Sequence, residues 1–522
     1  MEATARSEAG SAAGDGSPPT DDEALEVRKP VDGSLLATVP IDPPARVREV
    51  VERVRAAQPE WAALGISGRR RWLARLRDWL LENDQRVADV MQAETGKVRA
   101  DAELEAPVIC DVINFYGANA ARFLADETPS PHLPMLKVKR VRVVQRPYQV
   151  VGNISPWNFP LILSFDDTVA ALQAGAAVVI KPSEFTPLTP MEVVRAWKEE
   201  IGGPDVLDLV NGVGETGGAL VDACDFIQFT GSERTGKVVM KRAAETLTPV
   251  SLELAGKDPM IVLRDANLER AVNGAAYGGL VNTGQTCLSI ERVYVEEPIY
   301  DEFVWRLAAR VAELRQGDDG RTASAEIGAM TTPAQLEKVS EHVEDARAKG
   351  ARILTGGRRV ERPGDWYEPT VIADADHSMK VMTEETFGPV VPVMKVRDVD
   401  EALRLANDST YGLGGSVFTR DFRRGEEVAR RLETGAVNVD DVLTNYLTLE
   451  APMGGWKSSG IGQRHSANGI RKFCRVESIV SPRFAQPRAD PLWFPNSRRK
   501  RTIVNRLFRF VNARGWRNRL GI

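Results

Sequence analysis

The chain has 522 residues, 43% of them hydrophobic and 27% charged, with a formal net charge of −5. That length allows two to four domains with substantial cores, and the charge gives no global reason to expect nucleic acid as a partner. Four scattered cysteines (Cys110, Cys224, Cys287, Cys474) and four dispersed histidines (His132, His342, His377, His465) argue against a disulfide framework and a metal site and suit a reducing compartment.

The first stretch, MEATARSEAGSAAGDGSPPTDDEA, lacks the basic region and apolar core of a secretory signal. It reads as disordered. No uninterrupted apolar run is long enough to span a bilayer, so the expectation is a cytoplasmic protein. From about 45 to 125, apolar residues recur at three and four, predicting helices. LKVKRVRVVQRPYQVVGNI then alternates valines with basic residues, the pattern of an exposed strand or hairpin. From about 150 to 255, QVVGNI, AAVVIKP, VLDLVN and DFIQFTGS are each followed by a turn and a helix-like segment. Such a βαβ series predicts a parallel sheet covered by helices. A second α/β series runs from about 257 to 455, with PMIVL, ERVYVEE, PVVPVMKV, GGSVFT and GAVNVD as strands, so two α/β domains meet near residue 255.

The last stretch, 497 to 522, carries nine Lys/Arg and no acidic residue, and Ile503, Val504, Leu507, Phe508 and Val511 share one helical face. A basic amphipathic helix can lie on an anionic membrane as a peripheral contact. A helix packed on a neighbouring subunit and a solvated tail are the alternatives.

Several islands of polar residues interrupt apolar sequence. GVGETG (212 to 217) matches a dinucleotide fingerprint, but the acidic residue expected about twenty positions on is missing, which leaves a plain strand-to-helix turn as the alternative. FTGSERTG (229 to 236) runs a strand into Gly231 and Ser232, where a helix start either binds phosphate or is simply capped by Ser232. VVIKPSEF puts Lys181 and Glu184 just beyond a buried strand, where open α/β sheets bind ligands. GNISPWNFP holds Asn158 in a rigid setting. SLELAGKDP places Glu253 between leucines, either solvent-facing from a strand or in a pocket with a raised pKa. NTGQTCLSIERV presents Cys287 among small and polar neighbours. A thiol nucleophile needs a donor for the attacked oxygen and a base for water, and Asn158 and Glu253 are suitable for those roles.

In order and rough spacing, PWNFP, KPSE, FTGS, LELAGK, GQTC and EETFGPV resemble the NAD(P)-dependent aldehyde dehydrogenase superfamily. The resemblance covers about 25 to 485, and ETGK (94 to 97) and APMGGWKSSGIG (451 to 462) are similar as well. It implies an α/β aldehyde dehydrogenase fold with a Rossmann-like cofactor domain (25–128 and 148–254) and a catalytic domain (255–473). It also implies a β oligomerisation arm (129–147 and 474–487), followed by the tail from 488. The parent fold makes a homodimer or homotetramer. It further implies that Cys287 attacks the aldehyde, that Asn158 and the Cys287 backbone N–H hold the oxyanion, and that Glu253 activates water to hydrolyse a thioester. Lys181, Glu184, Gly231, Ser232, Ile154, Trp157, Glu385 and Phe387 match the cofactor contacts.

The chain departs from the family pattern at Ala255, where a second glycine is usual. Glu184, aimed at a ribose 2′-hydroxyl, would repel a 2′-phosphate, so NAD is expected over NADP. GQTCLSIERVYVE and the C-terminal extension are similar to an actinobacterial succinate-semialdehyde dehydrogenase branch. Yet Asp166 and Asp167 stand where a cation for an acid-terminated substrate is expected. Leu443, Tyr446 and Leu447 in VLTNYLTLE favour an uncharged, partly apolar aldehyde. The alternatives are succinate semialdehyde as substrate, a CoA-acylating enzyme (against which Glu253 speaks), and a catalytically silent NAD-binding or structural protein.

Overall fold

A computed structural model of the chain describes residues 24–485, 493–495 and 497–520. The disorder expected for the first residues falls outside the described ones. The polypeptide divides into a large unit, 24–123 with 147–473, and a small one formed by 124–146 and the described residues from 474 on.

The large unit is α/β and contains two mainly parallel sheets. In the six-stranded sheet the order is Gly460–Ile461, Val250–Glu253, Phe226–Thr230, Val150–Ile154, Ala177–Lys181, Leu207–Leu209. All neighbours are parallel except Gly460–Ile461, which lies antiparallel to Val250–Glu253. The chain winds one way from Val150–Ile154 through Ala177–Lys181 to Leu207–Leu209. It then returns to the other side at Phe226–Thr230. The carboxyl ends of Val150–Ile154 and Phe226–Thr230 therefore flank a topological switch point, where such sheets bind ligands. These strands read as continuous Val/Ile/Leu runs because both faces are covered, and Val150–Ile154, Ala177–Lys181 and Phe226–Thr230 are buried at every position.

The helix Pro160–Ala174, between the first two of these strands, is buried along its whole length. Pro160 pre-sets its first turn, and Gly175, at φ +110°, ends it. Its first amides are capped from a distance. The Glu105 carboxylate accepts from the N–H groups of Leu161 and Ile162, both at 3.0 Å.

The seven-stranded sheet runs Arg352–Thr355, Thr370–Ala373, Val390–Val396, Ile290–Glu296, Asp258–Val262, Ser416–Phe418, Asn438–Val439. Only the Arg352–Thr355 edge is antiparallel. All five strands anticipated in this half are present. The edge strand Arg352–Thr355 and its neighbour Thr370–Ala373 were not anticipated. The helical stretch expected from about 45 to 125 forms Pro44–Ala63, Gly65–Glu82, Asp84–Thr95 and Arg99–Phe123. Before them, Ala24–Arg28 and Leu35–Pro40 form an antiparallel pair.

In the small unit the valine-basic alternation forms one strand, Lys139–Pro147, rather than a hairpin, and its sheet partner is Cys474–Pro482. Arg140, Arg142 and Arg146 of Lys139–Pro147 are exposed, and Val476 and Val480 on its partner are 65% and 62% exposed. The helix Arg498–Asn512 buries no side chain. No helix among the described residues is long and apolar enough to cross a membrane.

Candidate active site

Cys287 precedes the strand Ile290–Glu296, in a loop held by unusual backbone geometry. Asn282 and Thr283 adopt left-handed φ values of 54° and 57°. Gly284 follows at +72°, and a Cβ there would lie 2.0 Å from the Gly388 carbonyl oxygen. The absence of a side chain at Gly284 lets this loop pack against residue 388. The glycine that serves the sulfur's own residue is Gly256, where a Cβ would come within 2.3 Å of the Cys287 carbonyl oxygen.

Two cavities meet at the half-buried Cys287. The first, about 180 Å³, brings together Trp157, Asn158, Gly231, Ser232, Glu253 and Cys287, and also touches Ala255, Glu385 and Phe387. It lies at the switch point of the six-stranded sheet. Trp157 and Phe387 meet edge to face with ring centroids 5.4 Å apart. Ser232 caps the helix Glu233–Thr246, accepting from the Thr235 N–H at 3.3 Å, so its capping role and its place in the cavity coincide.

Glu253 is 3% exposed, and neither carboxylate oxygen has a hydrogen-bond partner among the described residues. Of the alternatives for this residue the pocket is the one observed. Burial pushes its pKa up to about 7, opposed by the cations Arg464 and Lys472. Burial likewise pushes the Cys287 thiol up to about 12, with Arg464 the main opposing charge.

Asn158 is fixed from both ends. Its side-chain amide donates to the Gln285 carbonyl at 2.9 Å, and its backbone oxygen accepts from Lys97 Nζ at 2.9 Å and Asn282 Nδ2 at 3.0 Å. Lys97 is also paired with Glu105 at 2.5 Å, which caps the helix that follows Asn158. One buried pair therefore sets both the helix and the amide. Glu94, three residues before Lys97, accepts from the N–H groups of Leu188 and Thr189 and caps the next helix.

Glu385 is pushed up to about 7 by burial and by Glu291, and accepts from the Gly256 N–H at 3.0 Å. Glu291 holds that loop through the N–H groups of Thr386 and Phe387, both at 2.7 Å, and pairs with Lys257 at 2.6 Å.

Lys181 and Ile154 lie opposite one another at the carboxyl ends of neighbouring strands, outside the cavity at the sulfur. Lys181 is 5% exposed, and its Nζ donates to the Pro182 carbonyl at 2.9 Å. Glu184 is half-buried three residues on. A buried ammonium with donor capacity to spare beside a carboxylate suits a diol. GVGETG forms a tight turn: Gly212 has φ +152°, and a Cβ there would meet Thr216 Oγ1 at 2.0 Å. It does not line the cavity at Cys287.

The second cavity, about 100 Å³, is walled by Val108, Phe159, Ile162, Leu443, Tyr446 and Leu447, and no Lys, Arg or His among the described residues lines it. Asp166 does not face it. Its carboxylate accepts from the Tyr446 hydroxyl at 2.9 Å and lies 3.0 Å from His465 Nε2. Burial alone would raise its pKa, but His465, Arg464 and Tyr446 together bring it down to about 2. Asp167 pairs with Arg464 at 3.1 Å and Lys472 at 2.7 Å.

A family model for the aldehyde dehydrogenase family matches residues 18–479. The chain belongs to the aldehyde dehydrogenase family. Its members oxidise aldehydes with NAD or NADP. Among similar proteins, a 4,4′-diapolycopene aldehyde oxidase of Methylomonas sp is 39% identical over 90% of this chain and 87% of its own length. A Mycobacterium tuberculosis protein named as a succinate-semialdehyde dehydrogenase [NADP(+)] is 39% identical over 86% and 87%. The solved structure of PutA from Anabaena variabilis, named as an aldehyde dehydrogenase, superposes with a TM-score of 0.86 at 38% identity, covering 91% of this chain and 100% of that one. Cys287, Asn158 and Glu253, the three residues singled out in sequence for the chemistry, line one cavity. Lys97, Glu105, Glu291, Arg464 and His465 were not singled out. ETGK and the polar ending of GIGQRH were the signals available for three of them.

Proposed function

We propose that the enzyme oxidises an uncharged, apolar aldehyde to its acid, with NAD as acceptor. The observation that carries the substrate class is the cation-free, apolar second cavity at Cys287. A substrate carboxylate would find no partner there and would lose its hydration. The two named relatives divide between a diapolycopene aldehyde and succinate semialdehyde, and this lining favours the uncharged one.

In this reading the Cys287 sulfur adds to the carbonyl carbon, and the developing oxyanion is held by the Asn158 amide and the Cys287 N–H. With a thiol this far up, the proton must leave to solvent as the sulfur adds, and Arg464 is the main charge favouring the thiolate, which leaves Glu253 free for the later step. A nicotinamide dinucleotide supplies the hydride acceptor when bound. Lys181 and Glu184 fit its adenosine ribose, Ser232 its phosphates and Glu385 its second ribose. The thioester left on Cys287 is hydrolysed by a water from which Glu253 takes a proton, returning the thiol and releasing the acid. A carboxylate with a pKa of about 7 and no protein partner suits that proton transfer.

The exposed edges of Lys139–Pro147 and Cys474–Pro482 support pairing between subunits of a homo-oligomer. The helix Arg498–Asn512 supports a peripheral contact with an anionic bilayer. Ile503, Leu507 and Phe510 are 63%, 40% and 54% exposed on one face, and Arg499, Arg501 and Arg506 flank it.

The test is NADH absorbance with a panel of aldehydes. Turnover of alkanals and aromatic aldehydes well above succinate semialdehyde is expected. A preference for succinate semialdehyde overturns the substrate class, a requirement for CoA favours acylation, and no aldehyde-dependent NADH favours a silent protein.

A further inference from the structure

The apolar cavity at Cys287 shares part of its wall with a second, larger cavity. Three of its lining residues, Asp101, Tyr277 and Val281, also line a larger cavity of about 560 Å³. That second space lies between the start of the helix Arg99–Phe123, the helix Leu268–Leu280 and the segment 310–327. Its other walls are largely aliphatic: Val98, Ala276, Leu280, Leu314, Ala325 and Ile327. Arg310 and Glu326 supply polar groups of opposite sign. At about 100 Å³ the space beside the sulfur is below the usual size of a small-molecule site, whereas the space beyond Asp101 is well within it.

We propose that the far cavity is a second subsite of the substrate channel, taking the distal part of a long, uncharged, apolar aldehyde whose carbonyl carbon lies at Cys287. The inference rests on the reading of Cys287 as nucleophile toward an apolar aldehyde and adds the substrate's length. The junction disfavours an anionic tail. Asp101 is the only ionisable group besides Tyr277 common to both spaces, and its carboxylate accepts from the Asn282 N–H at 3.0 Å. An anionic tail would meet that carboxylate with no cation beside it in the near cavity. Tyr277, 54% exposed, offers a ring to one side of the passing chain.

Two measurements separate this from the reading beneath it. In the first, kcat/KM is measured for n-alkanals from four to fourteen carbons. It should rise about three- to fourfold per added methylene beyond the length the near cavity holds. In Ala100→Trp and Asn273→Trp, exposed positions whose new side chains would enter the far cavity alone among the two, the ratio of kcat/KM for dodecanal over butanal should fall at least tenfold. An unchanged ratio in both variants, or a wild-type plateau at short chains, overturns the subsite while leaving the aldehyde chemistry standing. The second measurement needs no turnover: calorimetric binding of n-alkan-1-ols of the same lengths to the full chain. Affinity rising with length in the wild type and flattened by Ala100→Trp supports the subsite, even if the catalytic reading fails. Affinity independent of length overturns it.

Discussion

Arg464 and Asp167 pair in the interior at 3.1 Å, one with 2% and the other with 3% of its side chain exposed. The same guanidinium donates to Thr230 Oγ1 at 3.0 Å, and Thr230 is the register partner of Glu253 on the neighbouring strand. A buried cation therefore stands behind the unpartnered carboxylate. It favours the charged forms of both Glu253 and Cys287. Lys472, His465 and Asp167 are the other charged or titratable groups acting on Glu253.

Replacing Arg464 by methionine should raise the pKa of Glu253 further above about 7, so the acid limb of the kcat profile moves to higher pH. It should also destabilise the fold, because Asp167 loses a buried partner and is left with Lys472 as its remaining cation partner. Arg464→Lys should restore the acid limb. A pH–rate profile that is the same in all three proteins would show that Arg464 acts on packing alone.

Several buried carboxyls have raised pKa values: Asp258 is pushed to about 8, Glu94 and Glu253 to about 7 and Asp101 to about 6, in each case mainly by burial. Their unfolded values lie near 4. The folded state therefore holds more protons, and stability present below pH ~4 is lost as pH rises through these folded values. Asp166, held at about 2, works in the opposite sense: its contribution is present above its unfolded value near 4 and is lost only as pH falls towards 2. Thermal melting should thus shift downward between pH 5 and 8.5, and Glu253→Gln should flatten part of that slope. A melting temperature that rises over the interval would contradict the assignment.

Glu184 sets the cofactor expectation. Wild-type kcat/KM should be at least tenfold higher with NAD than with NADP, and Glu184→Ser should narrow that ratio through the NADP term. Equal use of both by the wild type would remove Glu184 from that role.

The basic helix predicts flotation of the full chain with vesicles containing phosphatidylserine, lost at high salt and in Leu507→Asp and Phe510→Asp. Equal flotation of wild type and variants would remove the membrane contact. A change of oligomeric state in the variants, with no flotation of either, would assign the face to subunit packing instead.

The parallel strands were legible because doubly covered strands leave unbroken Val/Ile/Leu runs, as in AVVIK and FIQFT. Short or irregular elements were not: Val250–Glu253 carries a buried glutamate, and the edge strand Arg352–Thr355 is only four residues long. At the site, Cys287, Asn158 and Glu253 could be found because their residue types suit the chemistry. Lys97 and Arg464 could not be assigned, because their importance lies in partners distant in sequence: Glu105 and the Asn158 carbonyl for one, Asp167 and Thr230 for the other. The valine-basic alternation gave a strand; only the family resemblance joined it to the late segment that contains its partner, Cys474–Pro482, more than 300 residues away. Asp166 read as a repulsive charge at the substrate, and its pairing with Tyr446 and His465 places that charge inside the wall instead.

The central claim is a Cys287 thioester hydrolysed by Glu253. Rapid mixing of Glu253→Gln with NAD and an alkanal tests it most directly. The account predicts a burst of NADH approaching one per active subunit, followed by turnover slowed by about 10²–10⁴-fold, and a thioester adduct on Cys287 detectable by mass. Steady turnover at the wild-type rate with no adduct on Cys287 would contradict it.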